Sequence, residues 1–354
     1  MRASDAIDYV IVGAGPAGCV LANRLSADPA VEVLLVEAGD RDTNPLIAMP
    51  RGFGELLGDP AIAWHYPVRL FGPAGTVEHW VRGKTLGGSS AVNGMVYNRG
   101  GRTDYDDLAR LGNPGWGWDD MLPAFRAIED NALGASAVRG AGGPLHVSTV
   151  EVADPLLEDV LTAGTELGWR RVRDLNESDE ERIGYTMATI RDGRRCSAAD
   201  AFLRPVLDRP NLAVALRTVV DRVVLDGGRA VGVRGRRDGR AVEIRAAREV
   251  ILAAGSIATP KILQFSVRSD QEIIDAGLTT GTAGYHAVGT CAMGPRDEDV
   301  VDPRLRVRGV PHLRVVDASV LPIMVAGNLN GPVCALAWRA ADLITAGSAG
   351  TADE

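Results

Sequence analysis

The sequence predicts an α/β protein, three layers about a parallel sheet, with a small antiparallel meander attached. Three observations predict it. First, the apolar run Asp8-Tyr9-Val10-Ile11-Val12 leads into Gly13-Ala14-Gly15-Pro16-Ala17-Gly18 and then a helix-like stretch, Cys19 to Leu25. Second, Val31 to Glu37 (VEVLLVE) is apolar almost throughout, as strands buried on both faces are. Third, the pattern changes to period two after Asn211, with turn residues between short runs.

Strand, glycine turn, helix and strand make a βαβ unit, whose crossover is right-handed in nearly all proteins. In such a unit each glycine has a task. Gly13 allows a tight turn, Gly15 lets the backbone approach a pyrophosphate, and Gly18 lets the helix pack on the strand. The helix N-terminus favours the phosphate charge, and Glu37 ends the second strand where a ribose would donate to it. A glycine turn without a ligand is the bland alternative. The strand before it, the helix after it and the acid beyond weigh against that.

Residues 40–80 are rich in Gly, Pro and aromatics and read as loops. Arg82 to Gly94 is a second loop dense in glycine and hydroxyls, of the kind that brings several backbone N–H donors to one anion. Asp119 to Asn131 has the spacing of an amphipathic helix, and Ala135 to Gly143 reads as a mobile loop. Leu212–Leu216, Val219–Leu225, Ala230–Arg234 and Ala241–Ile244 are predicted strands, with turns at Asp226-Gly227-Gly228 and Asp238-Gly239. Val250 to Gly255 and Leu313 to Asp317 are two further buried strands. Pro332 to Ile344 is a predicted helix with Val333, Leu336, Ala337, Ala340, Leu343 and Ile344 on one face. A frayed tail is expected from Gly347.

Composition narrows the function. A net charge of -8 argues against a nucleic-acid surface, which needs a basic field. The cluster Arg234, Arg236, Arg237 and Arg240 flanks Asp238-Gly239 and reads as the solvated rim of a hairpin. The four cysteines, Cys19, Cys196, Cys291 and Cys334, stand far apart, in neither a zinc nor a disulfide spacing. No metal site is expected. The first residues run into β-structure without a basic and apolar leader, and no run approaches a membrane span of about 18 apolar residues. The expected setting is the cytoplasm.

The glycine turn alone does not choose between NAD and FAD. The second glycine-rich loop and Asp317 at a strand end, placed for a ribityl or pyrophosphate group, favour FAD. At this point the chain resembles the glucose–methanol–choline (GMC) oxidoreductases. The resemblance lies in Gly83-Lys84-Thr85-Leu86-Gly87-Gly88-Ser89-Ser90-Ala91-Val92-Asn93-Gly94-Met95-Val96-Tyr97 with Arg99-Gly100. It continues in Arg195-Cys196-Ser197-Ala198 with Ala201-Phe202-Leu203, in Tyr285-His286-Ala287-Val288-Gly289-Thr290-Cys291, in Val301 to Val307 and in Val315 to Ser319. It covers nearly all of residues 7–345.

The resemblance implies a Rossmann-like FAD-binding domain and an alcohol-oxidising enzyme with His286 as its base and Asn330 as polar partner. The expected FAD contacts are Gly13, Gly15, Ala17, Gly18, Glu37, Ala38, Arg82, Gly87, Gly88 and Ser89. They continue with Asn93, Gly94, Met95, Val96, Val219, Ala254, Asp317, Ala318, Asn328 and Pro332. Some similar proteins attach FAD through a histidine just before the motif asparagine. Val92 stands there, so noncovalent binding is expected. The chain departs from the pattern after Ser266. About 20 residues separate it from His286, where similar proteins carry most of the substrate-domain sheet. A reduced substrate-binding portion follows, over 46–81, 151–204 and 267–299. The FAD domain takes 1–45, 82–150, 205–266 and 300–346, with 347–354 a flexible tail. An open flavin face would suit a bulky substrate or a second subunit closing the site.

Alcohol oxidation removes a hydroxyl proton and a hydride from one carbon. An imidazole with a reference pKa of about 6.5 can take that proton at neutral pH. His65, His79, His146 and His312 lack the glycine-lined setting of His286. Asn330 either hydrogen-bonds the substrate oxygen or caps the helix near Pro332, with Asn328 as its near competitor. That helix would aim its positive end at the flavin N1–C2=O edge. Trp64 and Tyr66, with His65 between them, are candidates for the substrate side. A lyase with structural FAD, as in hydroxynitrile cleavage, and a non-catalytic flavoprotein are the other readings. Oxygen, a quinone or another electron acceptor all fit the sequence.

Overall fold

The computed structural model describes residues 7–69, 77–149, 154–264 and 286–349. Its centre is a five-stranded parallel sheet. The strands are β1 (Tyr9–Val12), β2 (Val33–Val36), β3 (Leu212–Ala215), β4 (Glu249–Leu252) and β5 (Leu313–Val315), in the order β3-β2-β1-β4-β5. Tyr9 lies opposite Val33 and Glu249, and Val12 opposite Val36 and Leu252. β1 is buried along its whole length because both its faces are covered. Helix α1 (Pro16–Leu25) crosses from β1 to β2. It packs on α3 (Asn330–Ala349), with the Arg24 guanidinium 4.3 Å over the Trp338 ring. Between them in sequence lies α2 (Gly255–Ile262), which starts directly after β4.

The meander is formed by Thr218–Asp226, Arg229–Arg237 and Arg240–Arg245, all antiparallel, and packs against β4. Its second turn has φ +50° at Asp238 and +78° at Gly239, the mirror-image turn whose twist suits a two-residue hairpin. Arg234, Arg236, Arg237 and Arg240 form the solvated rim of this turn, all exposed, with Arg234 paired to Glu243 at 2.6 Å.

Four expectations need correction. Residues 40–80 are not mainly loop, since Ala63–Arg69 and Val77–Gly83 form an antiparallel hairpin with Trp64 opposite Arg82 and Tyr66 opposite Trp80. Pro67 hid it, yet a two-stranded hairpin is all edge and tolerates proline. The helix predicted over 119–131 spans Trp118–Ile128, and Glu129–Asn131 turn into a strand beside Leu145–Thr149. Buried Glu129 meets buried Arg99 there, and that tertiary pair overrides the helical period. The 135–143 loop is fastened to the same pair: Gly140 N–H donates to Glu129 at 3.0 Å and Val138 O accepts from Arg99. Finally, α3 begins at Asn330 and runs through 347–349.

A smaller sheet joins Val96–Tyr97, Met187–Ala188, Leu145–Thr149 and Glu129–Asn131, and so draws strands from both sides of the expected boundary at residue 150. Among the described residues, no helix is long and apolar enough to cross a membrane.

Candidate active site

Four parallel strands end at one cavity of about 580 Å³. Val12 ends β1 and Gly13, Gly15 and Ala17 come after it, while Glu37 and Ala38 follow β2. Ala254 follows β4, and Asp317 and Ala318 follow β5. The carboxyl ends of parallel strands are where open α/β sheets hold ligands. Backbone demands at the turn are specific. Gly13 has φ +103°, and a Cβ on it would stand 2.5 Å from Ala253 O. A Cβ on Gly15 would meet nothing within 4 Å.

Both acids on this wall are committed inward. Glu37 accepts from Ala14 N–H and Gly39 N–H, each at 2.8 Å. Asp317 accepts from Ser319 N–H (2.8 Å) and Gly255 N–H (2.9 Å), and from the Ser319 and Thr259 hydroxyls. Burial raises the pKa of both, and these hydrogen bonds oppose the rise.

The second wall is the glycine-rich loop, through Arg82, Gly88, Ser89, Asn93, Gly94, Met95 and Val96. A Cβ on Gly88 would fall 2.6 Å from Gly15 Cα, so the two glycine loops abut. Buried Arg195 holds this loop from behind. It donates to Ile47 O (2.8 Å), Ser90 O (3.1 Å), Asn93 O and Asn93 Oδ1 (both 2.7 Å). Burial pulls its guanidinium down to about 10, opposed in part by the nearby Asp200 carboxylate. Val219 completes this side.

Three expected contacts are not on the wall. Gly18 lies behind it, where a Cβ would come 1.9 Å from Gly13 O, so its smallness serves helix packing. Gly87 turns the loop with φ +88° and donates to Ala14 O at 2.9 Å. Pro332 is the third residue of α3, two positions beyond Asn330, and does not line the cavity.

His286, Asn328 and Asn330 also line the cavity. The structure brings Asn328 to the imidazole, not Asn330: Asn328 Nδ2 donates to His286 Nε2 at 3.1 Å. Asn330 is the first residue of α3 and caps nothing, because the first helical bond runs from Val333 N–H to Leu329 O. Its Oδ1 is buried without a hydrogen-bond partner. Half-burial and the nearby Arg82 cation, in that order, hold the His286 pKa below the ordinary imidazole value. Neutral imidazole is therefore the resident form at neutral pH. Arg82→Gln is expected to move the acid limb of kcat/KM upward, read from a pH–rate profile. An unmoved limb would show that burial alone sets it. Tyr285 and the connection 265–285, on which the expected open flavin face rests, lie outside the described residues.

Trp64 and Tyr66 both line the cavity, their rings 6.3 Å apart, with Lys84 Nζ 4.6 Å over the Trp64 ring. His65 is turned away, its Nε2 2.7 Å from Leu57 O. Sequence reasoning missed Ser256 and Lys261 of α2, which also line the cavity. The signal was present: Gly255 (φ +87°), which opens α2 after β4, repeats the strand–glycine–helix order of Gly13. No local signal marked Arg195 as a clamp.

A family model described as GMC oxidoreductase matches residues 7–290. The chain belongs to the GMC oxidoreductase family. Among the relatives of this GMC protein, mitochondrial choline dehydrogenase of Homo sapiens is 42% identical over 270 residues, 74% of this chain and 46% of that protein. Alcohol dehydrogenase [acceptor] of Pseudomonas putida is 40% identical over 279 residues, 77% of this chain and 50% of the other. The chain thus spans about half the length of the curated relatives it matches. A crystal structure of pyridoxine 4-oxidase from "Mesorbium loti" superposes with a TM-score of 0.87 at 25% identity. The match covers 96% of this chain and 99% of that one.

The cofactor of GMC oxidoreductases is FAD, and the cavity fits it. Its volume lies in the range of about 300–1,000 Å³ usual for such sites. Gly15 leaves empty space where a pyrophosphate must approach the backbone. The orphaned Asn330 Oδ1 calls for a donor, since buried polar atoms are rarely left unpaired.

Proposed function

We propose that this GMC oxidoreductase oxidises the CH–OH group of an alcohol with noncovalently held FAD. One observation carries the reading: the cavity lined by the glycine turn is also lined by His286, whose Nε2 faces an asparagine N–H at 3.1 Å. A hydroxyl oxygen about 3 Å from both atoms would donate to His286 Nε2 and accept from Asn328 Nδ2. The imidazole then takes the hydroxyl proton, and the amide stabilises the alkoxide left behind. Bound FAD supplies the hydride acceptor. Gly13, Gly15, Gly88 and Asn93 would hold it, and buried Val92 offers no atom for a covalent link. The N-terminus of the 20-residue α3 opens beside Asn330, so its positive end would favour negative charge in the cavity.

The wall also bears on substrate. Among the described residues its acids are Glu37 and Asp317, both engaged by neighbours, while Arg82 stands near His286 and Lys84 over Trp64. A neutral alcohol suits that field better than a quaternary ammonium alcohol such as choline, which needs an anion or an open aromatic face. The brevity of the 266–286 connection supports a bulky substrate or a second subunit closing the site, and the division into a discontinuous FAD domain and a reduced substrate portion. Four free, buried cysteines suit a reducing cytoplasm.

Anaerobic titration of the FAD-loaded protein with aliphatic, aromatic and choline-type alcohols tests the reading. Bleaching of the flavin band by a neutral alcohol, and not by choline, is expected. Cyanohydrin cleavage without bleaching would replace it with the lyase reading. FAD that no alcohol reduces would leave a non-catalytic flavoprotein.

A further inference from the structure

We propose that Asn98 is a positioning residue that sets the protonation geometry of His286 through the side chain of Asn328. The inference rests on the alcohol-oxidation reading above and extends it to a residue that touches neither imidazole nor substrate.

Asn98 follows the strand Val96–Tyr97 and is partly buried. Its Nδ2 donates to Asn328 Oδ1 at 3.0 Å. An amide whose oxygen is taken must present its nitrogen elsewhere, and Asn328 Nδ2 faces His286 Nε2 at 3.1 Å. An N–H donor can face only an unprotonated ring nitrogen, so the proton of neutral His286 is placed on Nδ1 and the lone pair on Nε2. That leaves Nε2 able to accept a proton. The two asparagines thus do for this imidazole what a hydrogen-bonding partner does elsewhere: they select the tautomer.

The backbone around Asn98 explains why orientation is its task. A Cβ at Gly327 (φ +106°) would fall 2.8 Å from Asn98 Nδ2, and one at Gly331 would fall 2.6 Å from Asn98 O. The 327–331 loop therefore wraps Asn98 with bare backbone. The same loop is tied independently, by Ala326 N–H donating to Asp104 at 2.8 Å. With the main chain held by packing and by Asp104, the Asn98 amide decides which way Asn328 points.

The reversed case follows. In Asn98→Asp the donor becomes an acceptor with a charge. It would accept from Asn328 Nδ2, turn the amide over and present Asn328 Oδ1 to the ring. Nε2 would then carry the proton, and the added carboxylate would raise the imidazole pKa. In Asn98→Leu the amide would be free to take either orientation.

The test is ¹⁵N NMR of histidine-labelled, FAD-loaded protein, with the His286 signals assigned by their loss in His286→Gln. Wild type is expected to show Nδ1 protonated and Nε2 bare at neutral pH. Asn98→Asp is expected to invert this, move the acid limb of kcat/KM upward and lower kcat by about 10²–10⁴-fold, with KM little changed. Asn98→Leu is expected to show a mixture of tautomers. Nε2–H in the wild type overturns the proposal. So does an Asn98→Asp protein with the wild-type tautomer and acid limb, or, should that variant not fold, an Asn98→Leu protein with a single Nδ1–H tautomer. A wild type that oxidises no alcohol refutes the functional reading instead, because the tautomer is measured without turnover.

Discussion

His286→Ala is expected to lower the rate of alcohol-driven flavin reduction by about 10²–10⁴-fold, the usual share of a general base. The flavin should stay bound. The described hydrogen bond of His286 goes to Asn328 rather than to the loops that would hold FAD. The check is stopped-flow reduction under anaerobic conditions, with the absorbance spectrum as control for cofactor content. The pH profile adds a second reading. The wild-type acid limb should fall below the ordinary imidazole value, because a depressed pKa keeps the base neutral to lower pH. In His286→Ala that limb should vanish. A variant that reduces its flavin at the wild-type rate would remove the imidazole from the chemistry.

Gly15→Ala and Gly18→Ala are expected to fail in opposite ways. At Gly15 the added methyl meets nothing within 4 Å, and φ of -75° is ordinary for any residue. The apo protein should therefore melt as the wild type does. The methyl would project into the space a pyrophosphate needs. Losing one hydrogen bond to a charged phosphate costs roughly 1.5–3 kcal/mol, about 10- to 100-fold in FAD affinity. At Gly18 the methyl would lie 1.9 Å from Gly13 O, a backbone atom that cannot swing aside. Strain of about 1–3 kcal/mol or more should lower the melting temperature with or without FAD. Thermal unfolding of the apo forms and FAD titration by fluorescence separate the two effects. Wild-type FAD affinity in Gly15→Ala would mean that no phosphate approaches this turn.

The legible parts of this protein share a cause. β1, the glycine turn, α1 and β2 follow one another along the chain, so their pattern lies in contiguous residues. The meander was legible for the same reason, since each strand pairs with its sequence neighbour. Reading failed where distant segments met. The hairpin of 63–83 is local and is the exception, masked by Pro67 and the surrounding glycines. The strand at Glu129–Asn131 exists because Arg99, thirty positions earlier, requires Glu129 beside it. At the site, His286 and the glycine loops were found from their local settings. The choice between Asn328 and Asn330 was not, because it depends on which amide the loop after residue 325 turns toward the ring.

Taken alone, the sequence determined the parallel-sheet core, the family and the identity of the residues that gather at the strand ends. Those depend on periodicity and on glycines whose backbone geometry no other residue supplies. Tertiary structure decided what those residues do to one another. It turned Glu37 and Asp317 inward, set Arg195 behind the loop, and joined Asn98, Asn328 and His286 across more than two hundred residues. The physical reason is that a hydrogen bond is made at about 3 Å between particular atoms, and separations of that size are fixed only when the chain has packed.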